Sequence, residues 1–293
     1  MERFSYIRAQ NIQNAVQLLN EPGVRSRPLA GSTDLILLLR HKPDLCDRVV
    51  DITLIPEMRR IEQKGDVVTI GAATSFTDVI ASPVIQKTAP ILADACKTVG
   101  AVQIRNMGTI GGNVANAAAC ADSLPALVCL DASARVLTAN EEFNWSVSEL
   151  VLGPNKTRIP PGGLLVSLSY IIPPEGSRGV FLKLGRRNAM AISRLTVAAL
   201  GRLDGEGKVI EAHFVTGSAA PTICRFKDVE ASLLGKIPTP ELLRNTGKLA
   251  TDEMIKLSGL RWSSEYKVPA LAAMTTRALA RVFQINMGEM EAA

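Results

Sequence analysis

Gly108-Thr109-Ile110-Gly111-Gly112-Asn113-Val114-Ala115-Asn116-Ala117-Ala118-Ala119 is the stretch on which the reading of this chain turns. Three glycines fall within five residues, and alanine dominates the second half of the stretch. Glycine lets a backbone approach a ligand closely and adopt positive φ, so that successive N–H groups face one point. Such a nest, or a helix N-terminus, binds phosphate through its N–H donors and a favourable partial charge. A plain tight turn is the competing reading, and the alanine run after the glycines favours the ligand. Upstream, Ala30-Gly31-Ser32-Thr33-Asp34-Leu35 is a second loop of small residues, which taken alone reads more readily as a simple turn than as a ligand loop. Two nests together suit a pyrophosphate, whose charges need donors on more than one side. Thr33, Thr109 and Asn113 add side-chain donors with little bulk. The Rossmann fingerprint G-x-G-x-x-G and its downstream ribose acid are absent.

Around these loops the pattern is mixed. Ile12, Ala15, Val16 and Leu19 recur at helical spacing, and Pro22-Gly23 stops that helix. Pro28–Ala30 reads as a short strand, Gly31–Asp34 as a turn and Leu35–Leu39 as the start of a helix. Val49–Ile52 and Val67–Ala73 are β-branched strands. Ser75 and Asp78 have the spacing of a capping box. Ile91–Val99 is helical and ends at Gly100. Ser123 caps a helix carrying Pro125, Ala132–Ala139 returns as a strand, and Leu164–Ile172 is a strand stopped by Pro173-Pro174-Glu175-Gly176. Beyond that cluster, Val180–Leu184, Arg194–Leu203 and Val209–Thr216 read as antiparallel strands with a hairpin at Asp204–Gly207. Helical patterns come next at Val229–Leu234, Pro240–Met254 and Val268–Phe283. Strands followed by helices, rather than strict alternation, mark an α+β chain.

Composition narrows the function. At 293 residues the chain is long enough for two domains, on a prior of roughly 100–200 residues each. Hydrophobic residues make up 47%, enough for a core, and aromatics only 4%, too few for a base-stacking surface. The net charge of +5 is interspersed rather than gathered in a stripe, so no nucleic-acid footprint is present. Cys46, Cys96, Cys120, Cys129 and Cys224 are odd in number and form no C-x-x-C pair, which points to reduced thiols and the cytoplasm. The same spacing argues against a zinc or iron–sulfur site on this chain. The N-terminus opens no apolar signal region, and no run approaches the ~20 residues of a membrane span.

The kit for independent catalysis is also missing. His41 and His213 are the only histidines, one at a polar helix end and one alternating within a strand, and both read as structural. G-x-S-x-G, H-E-x-x-H and the P-loop pattern do not occur. No catalytic residue and no metal ligand is assigned; if the chain takes part in catalysis, a cofactor carries the chemistry.

Ala30-Gly31-Ser32-Thr33-Asp34-Leu35 and Gln103-Ile104-Arg105-Asn106-Met107-Gly108-Thr109-Ile110-Gly111-Gly112-Asn113 resemble the two flavin loops of the FAD-binding (medium) subunit of molybdenum hydroxylases, the family of xanthine, carbon monoxide and nicotinate dehydrogenases. Asp122–Leu127 resembles the family segment after the second loop, and Phe181-Leu182-Lys183-Leu184-Gly185-Arg186-Arg187 the start of its C-terminal domain. The first loop departs from the commoner form at Ser32, where glycine is usual; a serine there has to take positive φ. The resemblance implies a two-part FAD-binding domain over about 1–175, with α+β subdomains near 1–55 and 56–175, and a C-terminal α+β domain over 180–290. Position by position, it implies that Leu29, Ala30, Gly31, Ser32, Thr33, Asp34 and Leu35 wrap FAD from one side. Thr109, Gly111, Gly112 and Asn113 wrap it from the other. Asp122 matches a position that hydrogen-bonds the cofactor, Leu165 a contact near it, and Lys183 a lysine beside the flavin. Read without the family, Asp122 caps a helix and Lys183 is a solvated strand lysine.

The function so implied is an FAD-carrying electron-transfer subunit. A partner large subunit holds the molybdenum cofactor, and an iron–sulfur small subunit carries two [2Fe–2S] clusters that feed the flavin. The flavin passes electrons to an external acceptor such as NAD+. Three alternatives remain open at this point: a stand-alone FAD-dependent oxidase or reductase, a scaffold subunit that has lost FAD, and a nucleotide-binding module without redox chemistry.

Overall fold

The computed structural model describes residues 4–288. Its first layer is a parallel sheet of β1 (Ser5–Arg8), β2 (Ser26–Leu29) and β3 (Arg48–Asp51) in the order β1-β3-β2, crossed by α1 (Ile12–Leu19) and α2 (Leu35–His41). Asn11 starts α1 by accepting a hydrogen bond from the Asn14 N–H, and the helix buries Ala15, Val16 and Leu19. Val49 and Val50 of β3 are fully buried, as expected of a central strand.

The second layer is an antiparallel sheet in the order β4-β5-β10-β6-β7, made of β4 (Ile61–Lys64), β5 (Val67–Gly71), β6 (Ser133–Leu137), β7 (Glu142–Ser146) and β10 (Leu164–Ile171). Between β5 and β6 run six short helices: α3 (Phe76–Ala81), α4 (Pro83–Thr88), α5 (Pro90–Lys97), α6 (Val102–Met107), α7 (Ile110–Asn116) and α8 (Ser123–Cys129). Ser75 does cap α3, accepting from the Asp78 N–H. Ser123 does not cap α8: it is the first helical residue, Asp122 occupies the cap position, and neither side chain makes the capping bond. A genuine capping box sits at Ser146 and Glu149, opening α9 (Val147–Leu150). The ribbon β8 (Val151–Gly153) and β9 (Lys156–Thr157) precedes β10.

The third layer is the antiparallel sheet β11 (Arg178–Leu184), β12 (Leu195–Leu203) and β13 (Val209–Gly217), covered by α10 (Lys227–Leu233), α11 (Pro240–Ser258) and α12 (Ser264–Phe283). Every residue of β12 from Leu195 to Gly201 is buried, because both faces of this strand are covered. Val197 and Ala199 face the helices, while Ala198 and Leu200 join the core of the preceding layer. The small side chains of this run let two cores share one strand. At the same junction β11 comes so near α5 that a Cβ on Gly179 would lie 2.9 Å from the Ile91 Cβ. Among the described residues no helix is long and apolar enough to cross a membrane.

The pair α11–α12 depends on a similar absence. A Cβ on Gly247 would lie 2.6 Å from both the Ala272 carbonyl oxygen and Thr276 Oγ1. Gly247→Val is therefore expected to lower stability by roughly 2 kcal/mol through overpacking. Thermal unfolding checks this, and an unchanged Tm would contradict the close crossing.

Candidate cofactor site

The first small-residue loop joins β2 to α2. Leu29 and Leu35 hold it from below, packed with Leu39, Cys46 and Val49 in a small apolar cluster. Ser32 takes φ +64°, the left-handed conformation that the loop requires, and its hydroxyl donates to the Ala30 carbonyl at 3.2 Å. Thr33 donates to Asp34 Oδ2 at 3.1 Å. The backbone N–H groups of Gly31, Ser32, Thr33, Asp34 and Leu35 find no acceptor among the described residues. Five successive amide donors are thus open to solvent or to a ligand.

The second loop behaves differently. Thr109 caps α7, its Oγ1 accepting from the Gly112 N–H at 3.1 Å. The N–H groups of Ile110 and Gly111 donate to the carbonyls of Thr74 and Ala72, each at 3.0 Å, and so hang the start of α7 on the end of β5. The sequence suggests inward-pointing amides in both loops; here two amides of the second are consumed by the sheet edge. Among the described residues, what this loop leaves without an acceptor is the Thr109 backbone N–H, the Thr109 hydroxyl proton and the Asn113 side-chain Nδ2. Asn113 Oδ1 is taken, accepting from Ser123 Oγ at 2.6 Å.

The loops meet backbone to backbone. A Cβ on Gly31 would lie 2.0 Å from the Met107 carbonyl oxygen and 2.7 Å from the Gly108 Cα. Asn116 Nδ2 adds a second tie by donating to Asp34 Oδ1 at 3.1 Å. Asn116 lies one turn beyond Asn113 on α7, a spacing that alone could have drawn attention to it in the sequence.

A polar cluster sits at the head of α8. Asp122 is buried, with Oδ2 accepting from Lys183 Nζ at 2.6 Å. Its Oδ1 accepts from the Ser193 hydroxyl. Lys183, on β11, also donates to the Thr98 carbonyl at 2.9 Å, and its side chain is only 13% exposed. This lysine is not a solvated strand residue but half of a buried ion pair joining the second layer to the third. Ser193 carries no signal in the sequence, since it ends a polar loop and belongs to no motif. Leu165 is buried at the bulge of β10, one residue before Val166, whose carbonyl accepts from the Ala72 N–H at 2.8 Å. It therefore lies beside the strand end from which the second loop hangs.

The two histidines play other parts. His41 ends α2, and His213 Nδ1 lies 2.7 Å from the Cys129 carbonyl, between α8 and β13. Burial pushes the Cys96 and Cys129 thiols far up, as suits inert core cysteines.

Gly111 shows what the second loop depends on. Its Cβ would lie 2.4 Å from the Ala72 Cβ and 2.5 Å from the Ala72 carbonyl oxygen. Gly111→Ala is expected to cost roughly 1–3 kcal/mol in the flavin-free chain, read by denaturant unfolding; a chain as stable as wild type would contradict the packing described.

Comparison with known proteins agrees with this architecture. Residues 2–174 match the family model of the FAD binding domain in molybdopterin dehydrogenase, and residues 180–282 that of the CO dehydrogenase flavoprotein C-terminal domain. The xanthine dehydrogenase FAD-binding subunit of Escherichia coli O157:H7 is 29% identical over 98% of both chains. The carbon monoxide dehydrogenase medium chain of Afipia carboxidovorans is 30% identical over 95% of this chain and 96% of its own. The structure of carbon monoxide dehydrogenase from Hydrogenophaga pseudoflava superposes with a TM-score of 0.89 at 28% identity, covering 96% of this chain and 98% of that one. With family models spanning both halves, the chain belongs to the FAD-binding medium subunits of the molybdenum hydroxylase family.

Proposed function

We propose that this chain carries FAD between an iron–sulfur small subunit and an external electron acceptor, in a cytoplasmic complex whose large subunit holds the molybdenum cofactor. The observation that carries the reading is the run of five amides from Gly31 to Leu35 that have no acceptor among the described residues, at the place where the first loop meets the second. A pyrophosphate needs several donors converging without side-chain bulk, and this run supplies them. The residues present fit FAD.

Leu29, Ala30, Gly31, Ser32, Thr33, Asp34 and Leu35 form one wall of the site, with the amides facing the pyrophosphate. Thr109, Gly111, Gly112 and Asn113 form the other, Thr109 and Asn113 as donors and the two glycines by keeping the wall close. Asp122 and Lys183 supply a fixed pair of opposite charges near the ring system, and Leu165 an apolar contact. When bound, FAD accepts electrons singly and passes them on singly or in pairs, which suits a station between one-electron clusters and a two-electron acceptor such as NAD+. The chain's own residues bind, orient and exclude water, and none is required to move a proton. Ser32 keeps the loop's left-handed turn without glycine; this weighs against the scaffold reading, for which it is the one hint in the sequence.

The purified chain, with its partner subunits where they are needed for folding, is expected to show a flavin absorption spectrum and to release FAD on denaturation. FMN, lacking the second phosphate, is expected to bind at least about tenfold more weakly, the equivalent of one lost charge-assisted hydrogen bond. The isolated chain should oxidise no substrate of the complex. A colourless protein that takes up no FAD, alone or assembled, would refute the proposal.

A further inference from the structure

We propose that Ser193 is a positioning residue for the flavin site: through its bond to Asp122 it fixes the direction in which Lys183 presents its remaining proton. The inference rests on the FAD reading above and extends it to a residue outside both flavin loops.

Lys183 has three N–H donors; one goes to Asp122 Oδ2 and one to the Thr98 carbonyl, leaving one without a partner among the described residues. Its direction is set by the other two. Thr98 is backbone and cannot turn, but Asp122 is a side chain, and a carboxylate held by one oxygen can rotate about its Cβ–Cγ bond. The Ser193 hydroxyl donates to the other oxygen, Oδ1, and closes that freedom. Both groups are buried, Asp122 and Ser193 each being 5% exposed, so the carboxylate is largely shielded from competing solvent.

Ser193 is itself held rigid. The next residue, Arg194, donates its N–H to the Leu184 carbonyl at 2.8 Å and closes the neck of the loop between β11 and β12. The Ser193 carbonyl accepts from Ser218 Oγ at 3.2 Å, and that hydroxyl also reaches the Ala119 carbonyl at 3.2 Å. Ser218 takes φ +61°, and its own carbonyl accepts from Lys267 Nζ on α12. The brace thus runs from α12 through two serines to the carboxylate. Losing the Ser193 hydroxyl leaves Asp122 less neutralised and lets the ammonium drift; both changes reduce the positive potential at the site and disfavour electron uptake.

The test compares Ser193→Ala and Ser193→Thr with wild type in the FAD-loaded protein, assembled with its partners if assembly is needed for loading. S193A is expected to keep its flavin but to show a more negative midpoint potential, and S193T, which retains a hydroxyl, to return toward the wild-type value. In flavin-free protein, Lys183 of S193A should acetylate faster with acetic anhydride, read by mass spectrometry. Equal potentials in wild type and S193A, or equal acetylation rates, overturn the proposal. Should S193A fail to fold, Ser193→Cys, nearly isosteric and a weak donor, is expected to shift both readouts in the same directions, and no shift overturns it. A wild-type protein that takes up no flavin overturns the underlying FAD reading instead, and is recognised from its spectrum before any variant is compared.

Discussion

Everything at this site depends on a contact that leaves no space for a side chain. Gly31 rests against the Met107 carbonyl and the Gly108 Cα, so two loops far apart in sequence press their backbones together. A single methyl at residue 31 would drive them apart. The contact divides the work between the loops. The second is bolted to the end of β5 through the amides of Ile110 and Gly111, and is therefore the fixed wall. The first donates no amide from Gly31 to Leu35 to another described residue, and on the proposed function it is the wall that receives the ligand. Glycines that look alike in sequence thus have different duties: Gly31 and Gly111 exist for packing, while the donors sit beside them.

A second constraint joins the halves of the chain. Strand β12 is buried on both faces and belongs to two cores at once, so β11 and the residues leading into β12 are fixed relative to α8. That rigidity is what allows Lys183 and Ser193 to grip the Asp122 carboxylate from the far side of the junction. A buried ion pair contributes little net stability, since desolvation offsets most of the attraction. Its value here is geometric: a dipole of fixed direction at the junction of the second and third layers, which the proposed function sets beside the cofactor.

Much of this was legible in the sequence, for identifiable reasons. The glycine loops stand out because their composition is so unusual, α1, α11 and α12 because their apolar spacing is helical, and β3 because it is a β-branched run. The three C-terminal strands are readable as apolar runs joined by one hairpin turn at Asp204–Gly207. Other features left no trace. Short helices such as α4 and α6 span six residues each, too few to show a period, and edge strand β4 carries the polar sequence Ile61-Glu62-Gln63-Lys64. The Ser123 cap failed because the hydroxyl has a better partner in Asn113, a tertiary bond no local rule anticipates. The fate of the Ile110 and Gly111 amides, and the role of Ser193, likewise depend on residues brought close only by folding.

On the proposed function, the amides of Gly31 to Leu35 are the ligand's principal donors. Hydrogen–deuterium exchange of those five amides, measured with and without bound FAD, tests it most directly. Fast exchange is expected in the free protein and strong protection on binding, with little change at Ile110 and Gly111, which are already bonded. Protection confined to the second loop, with Gly31 to Leu35 exchanging freely while FAD is bound, would contradict it.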